Sequence, residues 1–263
     1  MKKSLLLVIA AATLASCGSY YQLYNVDAVD LKNDGKTLKF ENEDCTITYN
    51  LWGHSGDLSF ALYNKTDRDL FVVMPQSFFI KNGMAYNYYS DSEQITRTAL
   101  GASSAQINTN VTWGSLLTKG TKDAAMVEST SITKSEEIIC IPPHSTKIFN
   151  GFALIGAAHK DCDDFKFNYP KKSSDKITYS KEDSPWKYRN RIAYTFNAKE
   201  RDCKYVDNEL WVSSLQNYRD KYMTETVKVK MCETNIEEEK EIVLYSAPNA
   251  FYNHYVKTPG AKK

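Results

Sequence analysis

The chain has 263 residues, of which 42% are hydrophobic and 25% are charged, and its formal net charge is +1 at pH 7. This composition excludes a disordered chain and a polytopic membrane protein. Nucleic acids and anionic membrane surfaces recruit proteins with a basic excess, so the near-neutral charge argues against both as partners. The 18 Tyr, 11 Phe and 4 Trp favour β-structure.

Residues 1–16 have the layout of a bacterial secretory leader. Lys2 and Lys3 provide a positive start, and an apolar run of ten residues extends from Leu5 to Leu14. As a helix this run covers about 15 Å, half the hydrocarbon thickness of a bilayer. The segment therefore predicts a signal peptide rather than a membrane span.

The end of this leader, Leu14-Ala15-Ser16-Cys17, resembles the lipobox of bacterial lipoproteins. The resemblance implies a diacylglycerol on the Cys17 thiol, cleavage before Cys17 and acylation of the new α-amine, which would anchor the protein in a lipid bilayer. The alternative is a free cysteine behind an ordinary signal peptide. No acidic residue lies next to Cys17, so we expect an outer-membrane anchor that faces the periplasm, with surface display left open.

The mature chain is predicted to begin with a lipidated tether over residues 17–36, which ends in the turn Asn33-Asp34-Gly35. In the next segment Cys45, Ile47 and Tyr49 alternate with polar residues, and this pattern predicts a strand with one buried face. Further strands are predicted at 58–62, 70–74, 77–80 and 85–89, and the last two are joined at Asn82-Gly83, a strong hairpin signal.

Residues 90–135 are rich in Ser, Thr, Gly, Ala and Asn, and they predict a long polar insertion with a short pairing around 111–117. Loops of this length are usually functional or disordered. Strands at 138–141 and 146–152 follow. Short strands separated by frequent turns predict an all-β fold, an antiparallel immunoglobulin-like β-sandwich over residues 37–155.

Residues 156–256 are predicted to add C-terminal strands after a loop-rich connection that extends to residue 189. The strands are expected at 192–196, 209–215, 226–231 and 239–245, with short helical segments at 218–223 and 246–252. They either pack on the sandwich or form a small second subdomain. Residues 257–263 are expected to be a disordered tail.

Four segments resemble uncharacterised lipoproteins of gut Bacteroidales: LYNKTDRDLFVV at 62–73, SFFIKNG at 77–83, IPPHSTK at 141–147 and NRIAYTF at 190–196. The resemblance covers most of the mature chain, and its motifs are turns and strands rather than chemical sites. It implies an envelope location and a β-sandwich, and it implies no activity.

Five cysteines follow Cys17, and an odd number cannot all pair within one chain. Because the envelope permits disulfides, one or two bridges among Cys45, Cys140, Cys162 and Cys232 are expected, with the pairing open. Cys45 and Cys140 lie in predicted strands, where a buried free thiol is an equal alternative.

The motifs that could carry catalysis or a metal have simpler interpretations. His159 and Cys162 stand with three acids in six residues, but no second His/Cys pair has matching spacing, so we expect a charged surface loop and no metal site. The segment Gly53-His-Ser-Gly-Asp57 lacks the glycine that a serine-hydrolase elbow needs two residues after Ser55, so a hairpin turn is expected. No catalytic residue and no cofactor is therefore predicted.

The predicted contact surface is the insertion 90–135 with the aromatic turn beside it, and its named residues are Tyr86, Tyr88, Tyr89 and Trp113, because exposed rings stack on sugars or anchor protein interfaces. The simpler explanation of the tyrosines is β-propensity and a place in the sandwich core. We expect a lipid-anchored binding or structural module of the cell envelope, without catalytic activity, whose partner is an envelope protein or a glycan. The alternative is an envelope hydrolase of glycans or peptides, since a catalytic carboxylate pair needs no fixed spacing in sequence.

Overall fold

The computed structural model of the chain describes residues 18–89, 94–98, 129–133, 136–199, 202–230 and 237–258. In this part the regular structure is almost entirely antiparallel β-strand, which confirms the prediction of an all-β fold. The chain divides into two units, residues 89–136 and the remainder.

The strands are β1 Ser19–Ala28, β2 Lys32–Asn33, β3 Leu38–Glu41, β4 Cys45–Tyr49, β5 Phe60–Asn64, β6 Leu70–Val73, β7 Phe78–Lys81, β8 Met84–Asn87, β9 Gln94–Thr98, β10 Ser129–Thr133, β11 Ile138–Ile141, β12 Thr146–Phe149, β13 Ile177–Thr178, β14 Lys187–Thr195, β15 Lys204–Arg219, β16 Thr224–Lys230, β17 Glu237–Val243 and β18 Ala250–Val256. The described helical segments are a single turn, α1 Phe165–Asn168, and the 3-10 turns Met74–Gln76 and Asp220–Tyr222.

The larger sheet has nine described strands and is organised around β15, which pairs antiparallel with β14 on one side and with β1 on the other. In turn, β14 pairs with β6 and β7, so strands from before residue 90 and after residue 186 share one sheet. The sheet continues through β18 beyond β1, β11 beyond β6 and β8 beyond β7, and the short β13 pairs with β15.

The second sheet has the order β12-β5-β4-β3-β2, and all its pairs are antiparallel. The buried side predicted for β4 is confirmed, since the side chains of Cys45, Ile47 and Tyr49 are fully buried, but on the other side Thr46 is buried as well and Thr48 is only partly exposed. Two separate pairs complete the described strands: β9 with β10 in the unit 89–136, and β16 with β17. The pairing predicted around 111–117 lies outside the described residues.

The buried faces of the two sheets pack against each other. The Tyr49 hydroxyl donates to Asn208 Oδ1 of β15 at 2.8 Å and accepts from Asn190 Nδ2 of β14 at 2.9 Å. Apolar side chains that are at most 2% exposed surround this network: Ile47, Phe60, Leu62, Ile192, Val206, Leu210 and Val212. Each contributes about 1.5–3 kcal/mol by leaving water. This arrangement is consistent with a β-sandwich, and the immunoglobulin-like assignment stays a prediction.

The prediction of a tether over residues 17–36 is wrong where β1 lies. β1 is an interior strand of the larger sheet, with β15 on one edge and β18 on the other. Tyr20, Leu23, Tyr24 and Val26 are buried, and Gln22 is fully buried among them. The Gln22 amide donates to Asn217 Oδ1 at 2.7 Å, so a buried polar partner explains why a Gln interrupts the apolar pattern.

Three other boundaries differ from the predictions. The short helix expected at 218–223 is confirmed only as the 3-10 turn Asp220–Tyr222, since β15 continues to Arg219, and the helical turn expected at 246–252 is wrong because β18 begins at Ala250. The first residues of the expected disordered tail are also held: Lys257 N donates to Gly18 O at 2.9 Å, and Thr258 N donates to the Tyr169 hydroxyl at 3.3 Å.

Candidate functional site

The outward side of β14 and β15 carries charged and aromatic residues in alternation. In β14 Tyr188, Asn190 and Ile192 point into the core, so the residues between them point outward. The register places Lys187 opposite Trp211, Arg189 opposite Glu209, and Arg191 opposite Asp207. Phe78 and Ile80 of β7 pair with Arg191 and Arg189 and continue the same side. We call this surface the outer-sheet face: Phe78, Ile80, Lys187, Arg189, Arg191, Tyr205, Asp207, Glu209 and Trp211.

Two depressions adjoin each other on the outer-sheet face, and both are lined by Ile80. The first has a volume of about 230 Å³ and is lined by Trp211, Arg189 and Glu209, among others. The second has a volume of about 300 Å³ and is lined by Phe78, Arg191 and Tyr205 among others. The Tyr205 hydroxyl donates to Gln76 Oε1 at 2.7 Å, which fixes one wall of the second depression.

Ion pairs hold Arg189 in place between two acids. Its Nε donates to Asp207 Oδ1 at 3.0 Å, its Nη2 pairs with Asp207 Oδ2, and its Nε lies 3.7 Å from Glu209 Oε1. The hydrogen bonds to Asp207 raise the pKa of Arg189 above its usual value. Lys181 pairs with the other oxygen of Glu209. Because these groups are partly exposed, each pair adds at most about 1 kcal/mol of stability, and its main effect here is to orient the side chains.

Arg191 differs from Arg189 in its partners. Its guanidinium carbon lies 4.4 Å from the centre of the Tyr205 ring. Its cross-strand neighbour Asp207 is paired with Arg189, and no carboxylate of the described residues lies within ion-pair distance of Arg191. The donors of Arg191 therefore have no carboxylate partner among the described residues, and its guanidinium lies over the Tyr205 ring, a cation–π arrangement.

The predicted contact residues lie elsewhere. Tyr86 is 40% exposed, but it pairs with Phe79, on the opposite side of the β7–β8 hairpin from Phe78 and Ile80. The prediction is wrong for Tyr88, whose hydroxyl donates to Asn190 Oδ1 at 2.8 Å and whose pKa is raised well above its usual value by burial. Tyr89 is half-buried, and Trp113 lies outside the described residues.

The expected disulfides are not formed by the described cysteines. Cys45, Cys140, Cys162 and Cys203 are free thiols, so the bridges predicted for the first three are wrong; the alternative of a buried free thiol is found for Cys45, whereas Cys140 is free but exposed. Cys45 is fully buried in β4, and this burial raises the pKa of its thiol to about 12. Cys232 lies outside the described residues.

The segment 53–57 forms a turn between β4 and β5, which pair antiparallel, so the hairpin prediction is confirmed. Ser55 has a φ of 68°, and its Oγ lies 3.0 Å from His54 Nδ1 and donates to Asn253 Oδ1 at 3.1 Å. Burial, followed by the nearby His254, lowers the pKa of His54. The loop 159–164 is exposed, and no cluster of three metal-ligating side chains occurs in the described part of the chain.

Comparison with protein-family models, with curated proteins and with solved structures finds no match for this chain. Among the described residues, no helix is long and apolar enough to cross a membrane.

The sequence reasoning missed the outer-sheet face, although a signal for it is present. In Tyr205-Val-Asp-Asn-Glu-Leu-Trp211, apolar or amide residues alternate with aromatic and charged ones. The run 187–191 has the same period. Period two alone would have placed Arg189 and Arg191 on one side of one strand, and Glu209 and Trp211 on one side of another.

Proposed function

We propose that this protein is a lipid-anchored, non-catalytic binding module of the cell envelope that uses the outer-sheet face to bind an acidic glycan. The observation that carries the proposal is the pair of adjoining depressions, where Trp211 and Tyr205 lie beside oriented ionic side chains. Sugar rings offer an apolar face for aromatic stacking and hydroxyl edges for hydrogen bonds, and this combination of residues suits both.

The charge of the face supports an acidic ligand. Lys181, Lys187, Arg189 and Arg191 outnumber Asp207 and Glu209, the acids of the same surface. A carboxylated sugar would find the guanidinium of Arg191 without a competing acid among the described residues. Bidentate contact between a guanidinium and a carboxylate is among the stronger charged hydrogen bonds.

The lipid anchor is supported by the leader and the lipobox that ends at Cys17. Location in the envelope and an outer-membrane anchor follow from the same residues and remain part of this proposal. An immunoglobulin-like strand arrangement is also part of it, since such sandwiches commonly bind ligands on their sheets or loops.

A hydrolase is the second candidate, because Asp207 and Glu209 lie two residues apart on one side of β15. Their Cα atoms are then about 7 Å apart, which overlaps the carboxyl spacing of glycosidases. Both carboxylates, however, are held in ion pairs with Arg189 or Lys181, so neither is free to approach a glycosidic oxygen without breaking a pair. Cleavage of any oligosaccharide by the purified protein would favour the hydrolase.

A panel of neutral and uronic-acid oligosaccharides tests the proposal. Replacement of Trp211 by Ala should weaken binding of the best oligosaccharide about tenfold or more, because stacking residues at a binding face contribute on the order of 1–3 kcal/mol. Trp52→Ala is the matched control, since Trp52 packs against Tyr245 and Tyr252 away from both depressions. Equal loss in the two variants would contradict the assignment of the face.

A further inference from the structure

The chain enters the larger sheet immediately after Cys17. Gly18 O accepts from Lys257 N at 2.9 Å, and Ser19, the first residue of β1, pairs with Val256. The Ser19 hydroxyl donates to Asp220 Oδ2 at 2.5 Å. Two residues of extended chain span at most about 7 Å, so any group on Cys17 is held close to this end of the sheet.

Lysines and aromatic rings surround the same end of the sheet. Lys257 Nζ lies 5.0 Å from the centre of the Phe165 ring, and Lys160 Nζ lies 5.9 Å from that of Tyr169. Lys172 and Lys221 approach the Tyr222 ring at 5.5 and 4.9 Å. We call these residues the collar: Lys160, Phe165, Tyr169, Lys172, Lys221, Tyr222 and Lys257.

Backbone and side-chain bonds tie the collar to the strand ends. Arg219 N, at the end of β15, donates to Lys172 O at 2.9 Å. Lys160 Nζ donates to Thr258 Oγ1 at 3.2 Å, just beyond β18. Lys160, Lys172 and Lys221 are exposed, and Tyr222 is 41% exposed. The collar thus presents ammonium groups and ring edges to the surroundings.

Three of the acids near the collar accept hydrogen bonds from their own chain. Asp161 accepts from the backbone of Asp163 and Asp164, Asp164 accepts from Phe167 N, and Asp220 accepts from Ser19. These hydrogen bonds do not remove the negative charges, and those from Asp163 and Asp164 lower the pKa of Asp161, so the collar offers four ammonium groups and aromatic rings rather than a net positive patch. Lysine, tyrosine and other amphipathic side chains are the residues that suit the headgroup region of a bilayer, where the stem is apolar and the tip is wet.

We infer that the collar is a membrane-contact surface that seats the end of the larger sheet on phospholipid headgroups. This inference rests on the proposed lipidation of Cys17, since the acyl chains bring the collar to the bilayer. Only Gly18 separates them from β1, so the sheet cannot stand far from the surface. The lysines then meet lipid phosphates, and the rings lie at the level of the headgroups.

Lysine labelling on vesicles tests the inference. The full chain is expressed, recovered in its mature membrane form and reconstituted on vesicles of phosphatidylethanolamine and phosphatidylglycerol, and an amine reagent labels the lysines briefly. The labelling rate of each lysine is divided by the labelling rate of the same lysine in the Cys17→Ala protein without vesicles, so that the ratio reports protection by the membrane. We expect a severalfold loss of labelling at Lys160, Lys172, Lys221 and Lys257. Lys199, near the opposite end of β15, is exposed and should keep a ratio near one.

The outcomes separate the two proposals. Protein that sediments with the vesicles but labels equally at the collar and at Lys199 would overturn the collar while leaving the anchor in place. Protein that does not sediment would overturn the anchor, and the collar with it. A Lys172→Glu/Lys221→Glu variant should regain labelling at Lys160 and Lys257, whereas the matched Lys147→Glu/Lys199→Glu variant should not; equal behaviour of the two would also contradict the inference.

Discussion

Most polar side chains inside the sandwich are paired with one another, as in the network around Tyr49, although the buried Asn208 Nδ2 and Asn253 Nδ2 have no hydrogen-bond partner among the described residues. Tyr49 is fully buried, and its hydroxyl connects Asn190 of β14 with Asn208 of β15, while Tyr88 bonds to the other end of Asn190. The network therefore links both sheets and the β7–β8 hairpin through groups that have left water. An unpaired member would carry the full desolvation cost.

Removal of the Tyr49 hydroxyl should be costly. Tyr49→Phe leaves Asn190 Nδ2 and Asn208 Oδ1 without this partner, and we expect the free energy of unfolding in urea to fall by about 1–3 kcal/mol. Tyr63→Phe is the matched control because Tyr63 is 36% exposed on the outward side of β5, and it should change stability little. Equal stability of the Tyr49 variant and the wild type would contradict the role of the network.

In alkaline solution the stability of the fold depends on pH, because the Cys45 thiol and the Tyr24 hydroxyl are buried in their neutral forms. Burial raises the pKa of the Cys45 thiol from 9.0 to about 12 and the pKa of the Tyr24 hydroxyl from 10.0 to about 12. The folded state favours the neutral forms, so their contribution is complete below pH 9 and is lost as the pH rises toward 12. The Tm of the wild type should fall as the pH rises from 9 to 12. Between pH 9 and 10 the Tm of Cys45→Ala should fall less steeply than that of the wild type, because this variant lacks the thiol. A Tm that stays level to pH 12 would contradict this account.

At the scale of elements, turn chemistry and period-two alternation were enough to predict the parts of the fold that depend on local sequence. The Asn82-Gly83 signal is confirmed as the turn between β7 and β8, and the buried side predicted for β4 is confirmed by the burial of Cys45, Ile47 and Tyr49. The failures have a common cause. In β1 and β15 the buried side includes Gln22, Asn208 and Asn217, whose partners are distant in sequence, so the apolar pattern is broken where a long-range amide pair replaces it.

The candidate site was harder to predict than the fold. Its residues come from β7, β14 and β15, and their neighbourhood depends on a register that no local pattern determines. Tyr88 shows the converse error, since an aromatic residue after an exposed hairpin can point inward. The sequence pattern shows on which side of its own strand a residue lies, but it does not show which other strand pairs with that strand.

The β7–β8 turn offers a test at this scale. Asn82 and Gly83 have φ values of 49° and 84°, as the two central residues of this hairpin turn require. A Cβ added at Gly83 would have no atom within 4 Å, so Gly83→Ala tests the backbone conformation alone. We expect the free energy of unfolding, measured by chemical denaturation, to fall by about 1–2 kcal/mol. A Cβ added at Gly53 would also have no atom within 4 Å, and the φ of Gly53 is not positive, so Gly53→Ala should leave the free energy of unfolding nearly unchanged. Similar losses in both would contradict the turn assignment.

On the scale of the larger sheet, β15 connects the two proposed surfaces. The collar lies at its Arg219 end, and Trp211 lies eight residues earlier, which corresponds to about 26 Å of strand. A bilayer at the collar would therefore leave the outer-sheet face in the aqueous phase, accessible to a soluble or surface-bound glycan. The lipid anchor and the ligand would then use separate residues of one rigid sheet.

The most direct test of the central claim is the affinity of a uronic-acid oligosaccharide for the wild type and for Arg191→Gln, measured by calorimetry at low and high salt. We predict that the wild type binds and that its affinity falls as salt is added, because the contact is partly ionic. Arg191→Gln should bind about tenfold more weakly with a smaller salt dependence, while Lys147→Gln, on the exposed edge strand β12, should match the wild type. Absence of binding by the wild type, or unchanged affinity of Arg191→Gln, would contradict the proposal that the outer-sheet face binds an acidic glycan.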